Sequence, residues 1–142
     1  MTPEQVEMVQ LSFAQLGPRT SELASRFYER LFELEPSCRA MFSADPADQT
    51  ALFASELAMT VASISDFDAF VTRTHRLGSR HLAYGVTHVH YVAASIALVE
   101  ALAATLELAF TDEMQTAWRL AFDLMAETMM QGADEPPFSN GT

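Results

Sequence analysis

Leu77-Gly78-Ser79-Arg80-His81-Leu82-Ala83-Tyr84-Gly85-Val86, followed by Tyr91, is the stretch whose reading decides the fold of this 142-residue chain. It sets one histidine on the apolar side of a helix that stops four residues later at a glycine. Leu77 lies one turn before His81 on the same face, so a neutral imidazole there has an apolar side chain packed beneath it. Such an imidazole can bind a metal along the normal of a flat cofactor. Gly85 suits the left-handed turn that ends a helix, and Val86 then turns a second apolar side chain toward the same pocket. A lone helical histidine is more often a core or surface residue, so the reading depends on the rest of the chain.

The length suits one domain with a single sizeable core, 49% of the residues being apolar. A formal charge of -11 would repel nucleic acid and anionic membrane, so neither is expected as a partner. All eight basic residues are arginine. The absence of lysine rules out Schiff-base chemistry and a phosphate-loop lysine. Cys38 is the single cysteine, which excludes an internal disulfide and a cysteine-based zinc site. Met1-Thr2-Pro3-Glu4-Gln5 has neither the basic region nor the apolar run of a signal peptide, and no stretch is expected to approach the length of a bilayer span. A soluble cytoplasmic protein is the expectation.

Helix signals recur along the chain and strand signals do not. Thr2 with Pro3 and Gln5 opens a first helix carrying Val6, Val9, Phe13 and Leu16, which Gly17-Pro18 ends. A second, from about residue 19 to 34, sets Leu23, Phe27, Leu31 and Leu34 on one face before Pro36 forces a new start. Asp45-Pro46 caps a helix with Leu52, Phe53, Leu57, Val61 and Ile64 inward, and Asp66 caps the one that reaches His81. A long apolar helix follows from about residue 88 to 108, and Thr111 with Asp112 and Glu113 starts a last one that stops at Gly132. The reading is all-α, six to seven helices, with one domain over residues 1–132. Residues 133–142, rich in Pro, Ser, Asn and Gly at the end, are expected to be a mobile tail. The proline breaks in the first half and the long last helices argue against a regular four-helix bundle.

Nearly the whole chain, residues 4–131, resembles a bacterial single-domain haemoglobin, the kind that also forms the haem domain of flavohaemoglobins. The match is carried by Phe27-Tyr28-Glu29-Arg30-Leu31-Phe32 with Glu35-Pro36, then Met41-Phe42 and Gln49, then the His81 stretch, His90-Tyr91 and Ala117-Trp118. The resemblance implies a globin fold around one haem pocket, haem b as cofactor, and His81 as the proximal iron ligand. It also implies that Leu77 and Val86 line the proximal side, Phe42 stacks on the haem edge, and Tyr91 is the family's proximal tyrosine. Tyr28, Gln49 and Phe53 would face the open side of the iron; a register matched on Leu52-Phe53 alone would instead place Asp48 and Leu52 there. His75, His88 and His90 are read as solvated or capping. The family's tyrosine in the last helix is Phe122 here, and the glutamate that bonds the proximal histidine falls near Ala133. That loss weakens the case for peroxidase-like chemistry, because a carboxylate partner makes imidazole a stronger electron donor.

A phenol hydroxyl and a glutamine amide are suitable donors to a polarised dioxygen ligand. One such bond is worth about 1.5–3 kcal/mol, or roughly tenfold to about 150-fold in retention. The resemblance therefore implies binding of dioxygen, nitric oxide and carbon monoxide at pentacoordinate iron, for oxygen binding or transport, with no catalytic residue assigned. A first alternative is a nitric oxide dioxygenase, which needs a separate reductase because the chain carries no dinucleotide fingerprint. A second is a gas or redox sensor module, or a haem-free regulatory one. Monomer and homodimer are both left open.

Overall fold

The structure, a computed structural model, describes residues 1–42 and 45–134. Six α-helices follow one another: α1 (Pro3–Leu16), α2 (Thr20–Leu34), α3 (Pro46–Ser63), α4 (Phe67–Ala83), α5 (His88–Leu106) and α6 (Asp112–Asp134). Short 3-10 turns occupy Gly17–Arg19, Pro36–Met41 and Glu107–Ala109, and no strand occurs among the described residues.

Most of the helices start where the sequence supplies a side-chain cap; α2, entered from Arg19, has none. The Thr2 N–H donates to Gln5 Oε1 at 2.8 Å while the Gln5 N–H donates to Thr2 Oγ1 at 3.1 Å, a reciprocal pair that satisfies two orphan donors. Asp45 accepts from the Ala47 N–H at 2.8 Å, Asp66 from the Ala69 N–H at 3.2 Å, and Thr111 from the Met114 N–H at 3.2 Å. Such caps contribute about 1 kcal/mol each. Gly17 ends α1 at φ 51°, a backbone conformation that favours glycine.

The core lies where α2 packs on α5, and α1 and α4 pack on α6. Leu23, Phe27 and Leu31 of α2 and Leu98 and Leu102 of α5 belong to one buried cluster. Trp118 is fully buried, and its indole N–H donates to Ser12 Oγ at 2.8 Å, which ties α6 to α1. A buried indole needs such a partner to offset its lost hydration.

Five expectations need correction. Residues His88–Ala109 are, by length and composition, long and apolar enough to cross a bilayer. In this fold the stretch contains α5, whose packed face carries Tyr91, Ala97, Leu98, Leu102 and Leu106, while Val89, Val92 and Ile96 are exposed. It ends at Leu106 rather than residue 108, because Glu107 turns to φ 54°. Leu52 is not inward but 54% exposed, since Phe53, Leu57 and Val61 form the i, i+4, i+8 stripe and Leu52 lies to one side of it.

Gly132 does not stop the last helix, which continues to Asp134; the remaining expected tail, 135–142, lies outside the described residues. Its hydrogen is needed for packing instead. A Cβ on Gly132 would stand 2.4 Å from the backbone of His75, and one on Gly78 would stand 1.8 Å from the Met129 carbonyl oxygen. The two glycines let α4 and α6 cross backbone to backbone, and His75 is half-buried there rather than solvated or capping. Gly78→Ala is therefore expected to push the helices apart and lower stability by about 1–3 kcal/mol or more, measurable by denaturant unfolding. An unchanged midpoint would show that the crossing is not tight.

Candidate functional site

The proximal wall is built by the end of α4. His81 sits in its last turn, and its Nδ1–H donates to the Leu77 carbonyl at 2.7 Å. That bond sets the tautomer and leaves the Nε2 lone pair for a metal. Burial lowers the His81 pKa below 6.5, an effect that outweighs the Leu77 carbonyl, so the ring is neutral at pH 7. Leu77 is buried one turn beneath it. The His81 carbonyl accepts from the Tyr84 and Val86 N–H groups, both at 3.0 Å, while the Gly85 N–H reaches Leu82 at 2.9 Å. Gly85 takes φ 87° to make this reversal, and Val86 ends half-buried. Tyr91, from α5, is buried and lies roughly parallel to the His81 ring, centroids 6.4 Å apart at 19°.

The other wall comes from α2, α3 and the turn between them. Tyr28 is surrounded by rings: Phe42 at 5.2 Å and 74°, Phe53 at 5.5 Å and 63°, Phe32 at 5.8 Å and Phe27 at 5.3 Å. Phe53 in turn stacks on Phe27 at 4.3 Å and 8°. Gln49, in the first turns of α3, sets its side chain beside the Tyr28 hydroxyl. Burial pushes the Tyr28 pKa up to about 12, and the Gln49 amide only partly offsets this. Asp48 and Leu52, the other possible register, face outward.

The remaining histidines go elsewhere. His88 is exposed at the start of α5. His90 completes the cap of α5, its Nδ1 accepting the Thr87 N–H at 2.9 Å, and its Nε2 lies 3.2 Å from Ser37 Oγ, which donates to Glu35 at 2.8 Å. His75 lies at the α4–α6 crossing. Reading by residue type overlooked Glu56, whose carboxylate pairs with Arg73 and lies 4.0 Å from Arg80, bracing α3 against the helix that carries His81. Nothing local in the sequence marks that pairing, because the partners come from different helices.

An imidazole with one nitrogen bonded to a carbonyl and the other available, together with a set of aromatic side chains that includes a phenol and an amide beside it, is a side-chain set suited to a flat metal-bearing cofactor. The globin family profile matches residues 25–129, and the chain belongs to the globin family. It is 26% identical to an anaerobic nitrite reductase of Gossypium hirsutum over 86% of this chain and 84% of the relative. An anaerobic nitrite reductase of Oryza sativa subsp. indica is 27% identical over 89% of this chain and 92% of its own. Among solved structures, a hexacoordinated haem protein from an anhydrobiotic tardigrade superposes with TM-score 0.85, covering 95% of this chain and 96% of its own at 17% identity. An engineered carbene transferase, from a candidate nitric oxide dioxygenase of Rhodothermus marinus, gives 0.83 at 25% identity, covering 94% and 93%. Membership of this family implies haem binding, and the tautomer set at His81 fits it.

The His81 Nδ1–H donates to a peptide carbonyl, not to a carboxylate. A neutral acceptor leaves the imidazole a weaker electron donor than a carboxylate would.

Proposed function

We propose that this globin binds dioxygen and the related diatomic gases NO and CO at pentacoordinate haem b, holding oxygen tightly through Tyr28 and Gln49, in the manner of a bacterial single-domain haemoglobin. The observation that carries the reading is the half-buried Tyr28 ring enclosed by Phe42 and Phe53, with the Gln49 side chain beside its hydroxyl. Bound there, haem supplies a metal with one coordination position open to small gases. His81 provides the lone pair at Nε2 on the opposite side, and Leu77 and Tyr91 hold its ring in place. With its pKa pushed to about 12, Tyr28 remains a neutral O–H donor throughout the physiological range. Gln49 orients it, while Phe42 and Phe53 keep water from competing for the donors. Pentacoordination is supported by the positions of His75, His88 and His90 and by the presence of an amide, not an imidazole, at Gln49.

The test is the visible spectrum of the purified ferrous protein before and after exposure to oxygen, nitric oxide and carbon monoxide. A five-coordinate spectrum that converts on gas addition is expected; a six-coordinate one beforehand overturns the reading. Absence of a Soret band after haem addition would leave a haem-free module.

The similarity to the Rhodothermus marinus protein favours one second reading, a nitric oxide dioxygenase. Dioxygen and nitric oxide would combine to nitrate, leaving the iron ferric, and a separate reductase would return one electron per cycle. Nitrate formed per nitric oxide consumed, with a reductase supplied, tests it directly.

A further inference from the structure

Gas binding makes no use of the outer face of α4. A shallow groove of about 880 Å3 runs along it, lined by Asp68, Thr72, Arg73, Arg76, Ser79 and Arg80. Three of the eight arginines thus gather in one groove of a chain whose formal charge is -11. Arg73 is neutralised, its guanidinium bonded to the Glu56 carboxylate and to Thr60 Oγ1 at 3.0 Å. Arg80 is different: its side chain is 60% exposed and only approaches that same carboxylate, at 4.0 Å. Arg76 is exposed and pairs with no carboxylate among the described residues.

Arg76 and Arg80 stand one turn apart, and like charges at that spacing repel. The chain has 19 acidic side chains, yet among the described residues Asp68 is the only one lining the groove. Glu56 offsets Arg73 and part of Arg80, which leaves Arg76 and the outward side of Arg80 for an anionic surface from outside. The same helix holds His81 on its inner side, so an object in the groove is about one helix diameter, roughly 10 Å, from the ligand-binding wall.

We propose that this groove is the docking surface for an acidic electron-donating flavoprotein. The donor's role rests on the nitric oxide reading above; its place rests on the arginines. One electron leaves the reduced flavin and enters the ferric protein, with no atom transferred. Opposite charge would raise the association rate and make it sensitive to salt.

Stopped-flow reduction of the ferric holoprotein by a reduced, acidic flavodoxin tests this, with photoreduced deazaflavin as an uncharged comparison. Raising the ionic strength is expected to slow the flavodoxin reaction at least tenfold. Arg76→Glu is expected to slow it at least tenfold at low salt while the deazaflavin rate and the melting curve stay unchanged, and Arg76→Lys should keep most of the rate. A flavodoxin rate indifferent to Arg76→Glu or to salt overturns the proposal, as does an equal loss with deazaflavin. Binding of inorganic phosphate without any such flavodoxin effect marks a small-anion site and overturns it too. A protein that accepts electrons through this groove but forms no nitrate removes the nitric oxide reading and leaves the docking surface; nitrate formation with a reductase indifferent to Arg76 does the reverse.

Discussion

His81→Ala is expected to release haem on desalting, because the substitution removes the axial nitrogen and no other histidine faces the same wall. His75 packs at the α4–α6 crossing, His88 is exposed, and His90 is committed to the cap of α5. A ligand present at a thousandfold excess over its dissociation constant stabilises the native state by about 4 kcal/mol. For a chain of this size that corresponds to roughly 10 °C, so the variant should melt at least that much below the holoprotein. External imidazole should restore binding by filling the space left by the ring. Full haem occupancy with an unchanged spectrum would discard the assignment and turn attention to His75. The pH dependence has a defined sign. The folded-state pKa of His81 lies below 6.5, so the contribution of the neutral ring is present above about that pH and is lost as the pH falls through the lower folded value. Haem loss from the parent should accelerate in that acid window.

Tyr28→Phe is expected to speed oxygen dissociation by about tenfold or more, with carbon monoxide affected less, because it keeps the ring and deletes the donor to the more polarised ligand. The ring contacts with Phe42 and Phe53 are retained, so access to the pocket should not change. Gln49→Leu should act in the same direction. The two should fall short of additivity, since Gln49 lies beside the Tyr28 hydroxyl and both would serve one bound oxygen. Between pH 6 and 9 the oxygen dissociation rate of the parent should be flat as far as Tyr28 is concerned, its pKa being about 12. Ligand displacement in a stopped-flow instrument measures all of these. Equal effects on both gases would point to altered access, and no effect would place Tyr28 outside the ligand's reach.

Much of this molecule is written locally. The caps at Thr2, Asp45, Asp66 and Thr111 act over two or three residues, so the helix starts could be read without knowing the fold. The break at Gly85 follows equally from its backbone freedom. The stripe Leu23, Phe27, Leu31 is legible because a helix repeats every 3.6 residues. The order of Phe27-Tyr28, Phe42, Gln49, His81 and Tyr91 along the chain was enough to mark a globin before any packing was known.

What the linear pattern could not carry is whatever depends on two segments meeting. Gly132 resembles a helix stop in sequence, yet only the passage of α4 across α6 explains why its position has no room for a Cβ. The apolar helix α5 satisfies the length and composition of a membrane span, and only the fold shows which of its residues pack against α2 and α6. The register of α3 was ambiguous by matching, whereas the stacking of Phe53 on Phe27 and the placement of Gln49 beside Tyr28 put one face inward. His81 was identifiable from its neighbours, but the partner of its Nδ1 was not. A carboxylate and a peptide carbonyl are both within the chain's means, and it is the α-helical turn returning to Leu77 that supplies the carbonyl. Sequence alone therefore determined the helices and the residue types available to the pocket, because propensities and caps act over a few residues. The tertiary structure decided the side chains' partners and the closeness of the helices, because hydrogen bonds and close packing between distant segments exist only after the chain has brought them together.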